Sequence, residues 1–221
     1  MAKPVEVRRA SAAKAADALA VFSTPLGWIG LIGSNDEVLA LTFGHETPVA
    51  VRRDFARKWC LPDGLREVDW SPGLRARLQA FAAGEPSDFS DVVVRSGHVT
   101  PFQHAVLTAV RRIRHGETTS YGALAQLAGY PGAARAVGQV MAANRVPLIV
   151  PCHRVIAASG RLGGYSARSG LTMKQRLLNM EQSGGEPAPA CAARRSRAAH
   201  PDDAVTEPAR SFLQVCTGRF S

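Results

Sequence analysis

No apolar run in this sequence reaches the ~18–20 residues that a membrane-spanning helix needs. The first twenty residues, MAKPVEVRRASAAKAADALA, carry charge throughout and lack the apolar core of an export signal. Cysteine is sparse too. The four present, Cys60, Cys152, Cys191 and Cys216, form neither a CxxC pair nor a zinc-ligand spacing. That argues against a disulfide scaffold or a cysteine-built metal site, and leads us to expect reduced thiols in the cytoplasm. Internal repeats are absent.

Acidic charge is missing from one part of the chain. Residues 1–100 balance 12 Lys/Arg with 12 Asp/Glu, whereas 101–181 set ten basic side chains against Glu117 and Glu181 alone. The formal net charge of +9 therefore sits almost wholly in that second stretch. A polyanion partner is one reading, because each Lys or Arg set against a phosphate releases bound counterions. A generic basic surface is the other, and charge alone does not choose between them.

What is present is a chain of 221 residues, 46% hydrophobic, enough to bury a core in one large domain or two small ones. After a leader, 1–18, expected to be poorly ordered, the runs ALAVFSTPLGWIGLIGS and EVLALTF read as strands separated by turn signals. Helices are expected over 48–60 and 72–83, the second from the spacing of Leu74, Leu78 and Phe81 before Gly84, and a short strand over Val92–Val94. These elements make 19–95 a small α/β or α+β domain with no polar cluster that suggests chemistry.

From Thr100 the pattern turns helical. Thr100, Pro101 and Gln103 form a capping box, opening a helix expected to stop near His115-Gly116. TTSYGALAQLAGYPGAARAVGQVMAAN then reads as two short helices around Gly129-Tyr130-Pro131-Gly132, with the length and turn chemistry of a helix-turn-helix. A last helix covers about 171–181, and the Pro/Ala/Gly/Arg-rich tail, 183–221, is expected to be disordered. In the second helix of the pair, Arg135, Gly138, Gln139 and Ala142 share one face that is nearly bare of bulk. Such a face suits a helix pressed into a nucleic-acid groove, with one cation to reach into the base stack. For the helix alone, close packing against another helix through Gly and Ala, with an ordinary solvent Arg, is the simpler reading.

The segment IVPCHRVI sets Cys152 between a proline and a histidine inside an apolar run. Only the thiolate is a good nucleophile, and an ordinary thiol pKa of ~8.5 leaves a few per cent ionised at neutral pH. His153, Arg154 and Glu181 are the candidates to change that. Neighbours on an extended strand point to opposite faces, so Cys152 and His153 need a bridging water or a turn beginning at Pro151 to cooperate. A buried, inert cysteine is the alternative.

RVPLIVPCHRVIAASGRLGGYS closely resembles the active-site signature of the O6-alkylguanine-DNA alkyltransferases, the methylated-DNA–protein-cysteine methyltransferases. The resemblance extends through TPFQHAVLTAVRRIRHGETTSYGALAQLAG and AARAVGQVMAAN upstream and GLTMKQRLLNME downstream, over about 98–182. It implies an α+β protein, with a small ribonuclease H-like N-terminal domain and a helical, winged helix-turn-helix-like domain over 98–182. It also implies single-turnover DNA repair. Cys152 would accept the alkyl group of O6-alkylguanine, and of O4-alkylthymine, after the base is flipped out of the duplex. His153 matches the base acting through a water, Glu181 its orienting carboxylate, Asn144 the asparagine bracing the active-site turn, and Tyr121 the tyrosine that hydrogen-bonds the guanine. Arg135 matches the arginine that fills the stack, on a helix whose Gly138 and Ala142 face DNA. Val155, Tyr165 and Ser166 match the base pocket. The resemblance further implies double-stranded DNA bound through the minor groove, a monomer, no cofactor and no metal.

The chain departs from that pattern at Asn144-Arg145-Val146-Pro147, where Arg145 replaces a usual proline. YSARSGL is also longer than in some relatives, and the N-terminal cysteines of some relatives' metal site are missing. A helix-turn-helix regulator or damage sensor without chemistry is the main rival, and non-reactive relatives lack the PCHRV cysteine. A cysteine hydrolase is a second rival, but it would need an oxyanion hole and turnover.

Overall fold

Strong β-branched and aromatic runs in the first third of the chain build a sheet, and Ala/Leu-rich segments after it build helices. The structure is a computed structural model that describes residues 7–9, 17–34, 36–58, 65–97, 99–165 and 170–183. Its strands are β1 (Val7–Arg9), β2 (Ala18–Phe22), β3 (Trp28–Ser34), β4 (Glu37–His45), β5 (Arg66–Glu67), β6 (Val93–Ser96), β7 (Thr119–Ser120) and β8 (Val155–Ile156). Its helices are α1 (Pro48–Lys58), α2 (Pro72–Ala82), α3 (Pro101–Val110), α4 (Tyr121–Leu127), α5 (Ala134–Ala142) and α6 (Gly170–Gln182). The fold is mixed α+β.

Six strands form one sheet in the order β1-β6-β4-β3-β2-β5. Its centre, β2-β3-β4, is an antiparallel meander, and β6, β1 and β5 join in parallel. Alternation along the strands loads both faces. Leu19, Ile32 and Ala40 pack under Val51 and Phe55 of α1. Gly30 makes that possible, since a Cβ there would meet Val51 and Phe55 at 2.3 and 2.4 Å. The opposite face, with Leu31, Leu41 and Phe43, shares one continuous apolar cluster with Leu78 and Phe81 of α2, Val106 of α3, Val137 of α5 and Leu177 of α6.

The capping box expected at Thr100 is present, with Gln103 N–H donating to Thr100 Oγ1 at 3.2 Å and Thr100 N–H to Gln103 Oε1 at 2.9 Å. Several expected boundaries move. α3 ends at Val110, not near His115-Gly116, because Arg112 and Ile113 turn to i−3 carbonyls while Nη2 of the buried Arg111 donates to the carbonyls of Phe89, Ser90 and Val92. The helix expected over 48–60 is described through Lys58, with 59 and 60 outside the described residues, and the strand expected over Val92–Val94 runs from Val93 to Ser96. Within the expected leader, Val7–Arg9 is instead a strand paired with Val94–Ser96. Two of its three residues are arginine, so no local pattern betrays it; the ladder with β6 makes it. The remaining leader residues up to 16, the tail from 184, and Cys60, Cys191, Cys216 and Ser166 lie outside the described residues.

Two features position the later site. Leu41 N–H donates to Arg145 O at 2.8 Å, tying the loop after α5 to the free flank of β4. Arg176 of α6 donates to Pro25 O at 2.9 Å, tying α6 to the β2–β3 turn.

Candidate active site

A two-residue parallel ladder sets the site up. β7 runs directly into Tyr121, the first residue of α4, whose N-cap Ser120 accepts from Ala123 N–H at 3.1 Å. β8 begins where the turn carrying Cys152 ends. The segment Cys152–Arg154 is a single 3-10 turn beginning after Pro151, with Arg154 N–H donating to Pro151 O at 3.0 Å. Proline at its start fixes φ and supplies that acceptor. Within this turn, successive side chains do not alternate across a strand as they would on an extended chain.

Asn144, just past α5, holds the approach to the turn. Its Nδ2 donates to Val150 O at 2.9 Å and to Cys152 Sγ at 3.2 Å, and its Oδ1 accepts from Val146 N–H at 3.0 Å. The same loop holds the buried Leu148 at φ +73°, a left-handed conformation that costs a residue with a Cβ about 1–2 kcal/mol. Arg145 contributes its carbonyl to Leu41 and leaves its side chain exposed.

His153 is wholly buried. Its Nε2 lies 2.9 Å from Glu181 Oε1, and its Nδ1 is buried without a partner among the described residues. Arg154 Nε donates to Glu181 Oε2 at 3.0 Å and Arg154 Nη2 to Oε1 at 2.8 Å, while Arg154 Nη1 is taken by Ile113 O at 2.7 Å. Gly116 N–H reaches Glu181 Oε2 at 3.1 Å, and His115 Nδ1 lies 3.8 Å from Oε1. Burial pushes the Glu181 carboxyl up, but hydrogen bonds from His153 and Arg154 and the adjacent positive charge outweigh it and hold the group at about 2. Burial lowers His153 despite Glu181, so the imidazole rests neutral beside an ionised carboxylate. Phe81 of α2 packs against the His153 ring at 6.3 Å between centroids, closing it off from water.

Burial also raises the Cys152 thiol, opposed by the Asn144 amide, the charge of Lys174 and the backbone N–H groups of Cys152 and His153. The resting sulfur is thus a protonated thiol within a setting able to hold its anion. It lies at a cavity of about 740 Å³ lined also by Tyr121, Arg135, Gly138, Ala142 and Tyr165. Arg135 and Ala142 are exposed on the outer face of α5, whose inner face buries Val137, Val140 and Met141. Gly163, at φ +66°, lets the loop press on Tyr121, where a Cβ would come within 3.0 Å of the ring and hydroxyl. Burial raises both tyrosines, and Tyr165 Oη is buried without a partner among the described residues.

The structure therefore brings Cys152, Tyr121, Tyr165, Arg135, Gly138 and Ala142 to one cavity, with Asn144 donating to the sulfur and His153, in the same turn, bonded to Glu181. Val155 is buried and contributes its carbonyl to Lys174 Nζ at 2.6 Å. Sequence reasoning missed Lys174. Its signal is a stripe on α6, where Lys174, Leu177, Leu178 and Glu181 recur at helical spacing and are all buried. Among the described residues no group of three or more His, Cys, Asp or Glu could hold a metal ion.

A buried thiol lining a cavity, with an imidazole held by a carboxylate in the same turn, is an arrangement suited to using sulfur as a nucleophile. The family described as 6-O-methylguanine DNA methyltransferase, DNA binding domain, matches residues 101–183. A methylated-DNA–protein-cysteine methyltransferase of Methanosarcina acetivorans is 36% identical over 165 residues, covering 74% of this chain and 97% of its own. The constitutive enzyme of that name from Bacillus subtilis is 44% identical over 162 residues, covering 72% and 92%. The crystal structure of the Mycobacterium tuberculosis O6-methylguanine methyltransferase superposes with a TM-score of 0.61 at 36% identity, over 79% of this chain and 96% of its own. The chain belongs to the methylated-DNA–protein-cysteine methyltransferase family.

Proposed function

We propose that this protein repairs DNA by moving the alkyl group of O6-alkylguanine, and of O4-alkylthymine, onto Cys152, once per molecule. The observation that carries this reading is the arrangement around one sulfur. Cys152 sits in a proline-started turn with Asn144 at 3.2 Å, and behind it the neutral His153 is tied through Nε2 to Glu181 with Nδ1 left open. The thiol proton passes through a water to His153 Nδ1. The sulfur lone pair forms the S–C bond as the C–O6 bond breaks, and that electron pair stays on the guanine. Tyr121 donates to the base as its charge develops, and the proton held by the imidazole returns through water to the departing guanine, leaving both neutral. Every electron is accounted for without a cofactor. The product is a thioether, which water does not hydrolyse, so the sulfur is spent.

Flipping is required, since O6 within a duplex is closed to in-line attack by a protein thiol. In this reading α4 and α5 are a helix-turn-helix within a winged domain over 98–182, preceded by a ribonuclease H-like domain over 19–95. α5 enters the minor groove, Arg135 fills the space of the extruded base, and Gly138 and Ala142 allow close approach. Val155, Tyr165 and Ser166 form the base pocket. A solved structure of the Mycobacterium tuberculosis OGT in complex with DNA, with a TM-score of 0.61 at 34% identity over 76% of this chain and 94% of its own, supports DNA as the partner. The protein acts as a monomer in the cytoplasm.

The test is incubation with a duplex containing O6-methylguanine, followed by intact-protein and peptide mass spectrometry. The expected result is a gain of one methyl group per molecule, on Cys152, absent in Cys152→Ala, which still binds the duplex. Repeated turnover would favour a hydrolase. Binding without modification would favour the regulator.

A further inference from the structure

Arg154 is fully engaged by Glu181 and Ile113, and Arg135 stands exposed at the rim of the cavity. Among the described residues, the cation left behind the cavity's inner wall is Lys174. Its side chain is 0% exposed, yet its hydrogen-bond partners are backbone carbonyls, those of Val155 and Leu162, and not a carboxylate. Val155 directly follows the Cys152 turn, and Leu162 lies on the returning arm of the loop that carries Tyr165. The ammonium also lies 5.9 Å from the ring centre of Tyr121 and 6.0 Å from that of Tyr165, within reach of both π-faces.

Burial works against a lysine's charge unless an anion accompanies it. Carbonyls and rings supply partial negative charge. Among the described residues, the full negative charge that could form on this side of the cavity is the Cys152 thiolate. The need is mutual. The thiol is buried too, and His153 becomes a cation only after it has taken the proton.

The geometry points to Lys174 as a positioning residue for alkyl transfer: its buried ammonium stabilises the Cys152 thiolate while its two carbonyl bonds pin the Tyr165 loop to the reactive turn. This rests on the reading of Cys152 as the alkyl acceptor. The direction of each group's titration agrees, since the lysine charge opposes the burial that raises the thiol, and the sulfur's charge opposes the burial that lowers the lysine.

The full chain, as Lys174→Gln and Lys174→Arg, separates charge from the staple. Iodoacetamide needs a thiolate but no guanine pocket, and peptide mass spectrometry reads Cys152 apart from the other cysteines. With Gln, the pH midpoint of Cys152 modification is expected to rise by about one unit, and the rate at neutral pH to fall about tenfold. With Arg, the midpoint stays near the wild-type value. Transfer from an O6-methylguanine duplex should slow in parallel in Gln and recover as pH is raised. An unchanged midpoint in folded Lys174→Gln overturns the proposal and leaves the lysine a loop staple. If that variant does not fold, the coupling is read from the other side by nuclear magnetic resonance titration of the Lys174 ammonium in wild type and Cys152→Ser. The serine variant should release the lysine proton at lower pH, and identical titrations overturn the proposal. A wild-type protein inert to the duplex, yet with a Lys174-dependent Cys152 midpoint, would overturn the acceptor reading and support the charge pairing.

Discussion

Glu181 is a single carboxylate that ties the fold to the candidate site. Its oxygens meet the side chains of His153 and Arg154 and the backbone of Gly116, from two stretches of chain separate from its own helix. Held at about 2 against an ordinary 4.5, it favours the folded state whenever it is ionised. The folded value is depressed, so this stability is complete above about pH 4.5 and is lost as pH falls through 2. The size is about 3 kcal/mol. Denaturant unfolding between pH 5 and pH 2 should show that loss in wild type and a flatter profile in Glu181→Gln. Parallel profiles would mean that the carboxylate carries no such linkage. At this scale the sequence is most informative where a motif compresses the site. Cys152, His153 and Asn144 lie within ten residues, whereas Lys174 reads in the sequence as an ordinary solvent lysine. Only packing turns it inward, although a lysine in line with Leu177, Leu178 and Glu181 is a legible anomaly.

Elements divide the labour. α5 offers an exposed face of Arg135, Gln139 and Ala142 to whatever lies outside, and the 3-10 turn holds sulfur within. If the Arg135 guanidinium occupies the gap left by an extruded guanine, its work is to favour the flipped state, not to activate the thiol. Arg135→Ala should then slow repair of duplex DNA by roughly a hundredfold, the rate equivalent of the few kcal/mol that extruding a base costs. Reaction with free O6-benzylguanine, which needs no flipping, should stay near normal, while His153→Ala slows both. Equal harm to both substrates in Arg135→Ala would remove the wedge role. Elements with strong periodicity or caps, such as α2, α3 and α5, are legible in the residue pattern alone. β1, β5, β7 and β8 are not, at two or three residues each. They are strands because partners distant in sequence supply their hydrogen bonds, as Thr119 does for Val155.

For the whole molecule, the sheet order β1-β6-β4-β3-β2-β5 is beyond local reading, since Val7 pairs with Val94 across most of the first hundred residues. The distribution of charge, by contrast, is plain from residue order. The stretch 101–181 carries ten basic side chains against two acidic ones, and 1–100 carries none in excess. Two members of that basic set are withdrawn from any surface role, Arg154 by Glu181 and Lys174 by its carbonyls, and a third, Arg111, is buried against 89–92. The cations left at the surface among the described residues include Arg112, Arg114, Arg135, Arg145 and Arg161. In the proposed reading, with Gly138 and Ala142 on the Arg135 face of α5, backbone contact and duplex shape supply the affinity. Binding to undamaged duplexes of different sequence should therefore be nearly equal and fall steeply with salt, with a log–log slope near −0.9 for each phosphate met. Fluorescence anisotropy over a salt series checks this, and Arg145→Ala should flatten the slope by about one phosphate if its exposed side chain meets the backbone. A strong preference for one undamaged sequence, surviving high salt, would instead identify a base-reading regulator and count against repair.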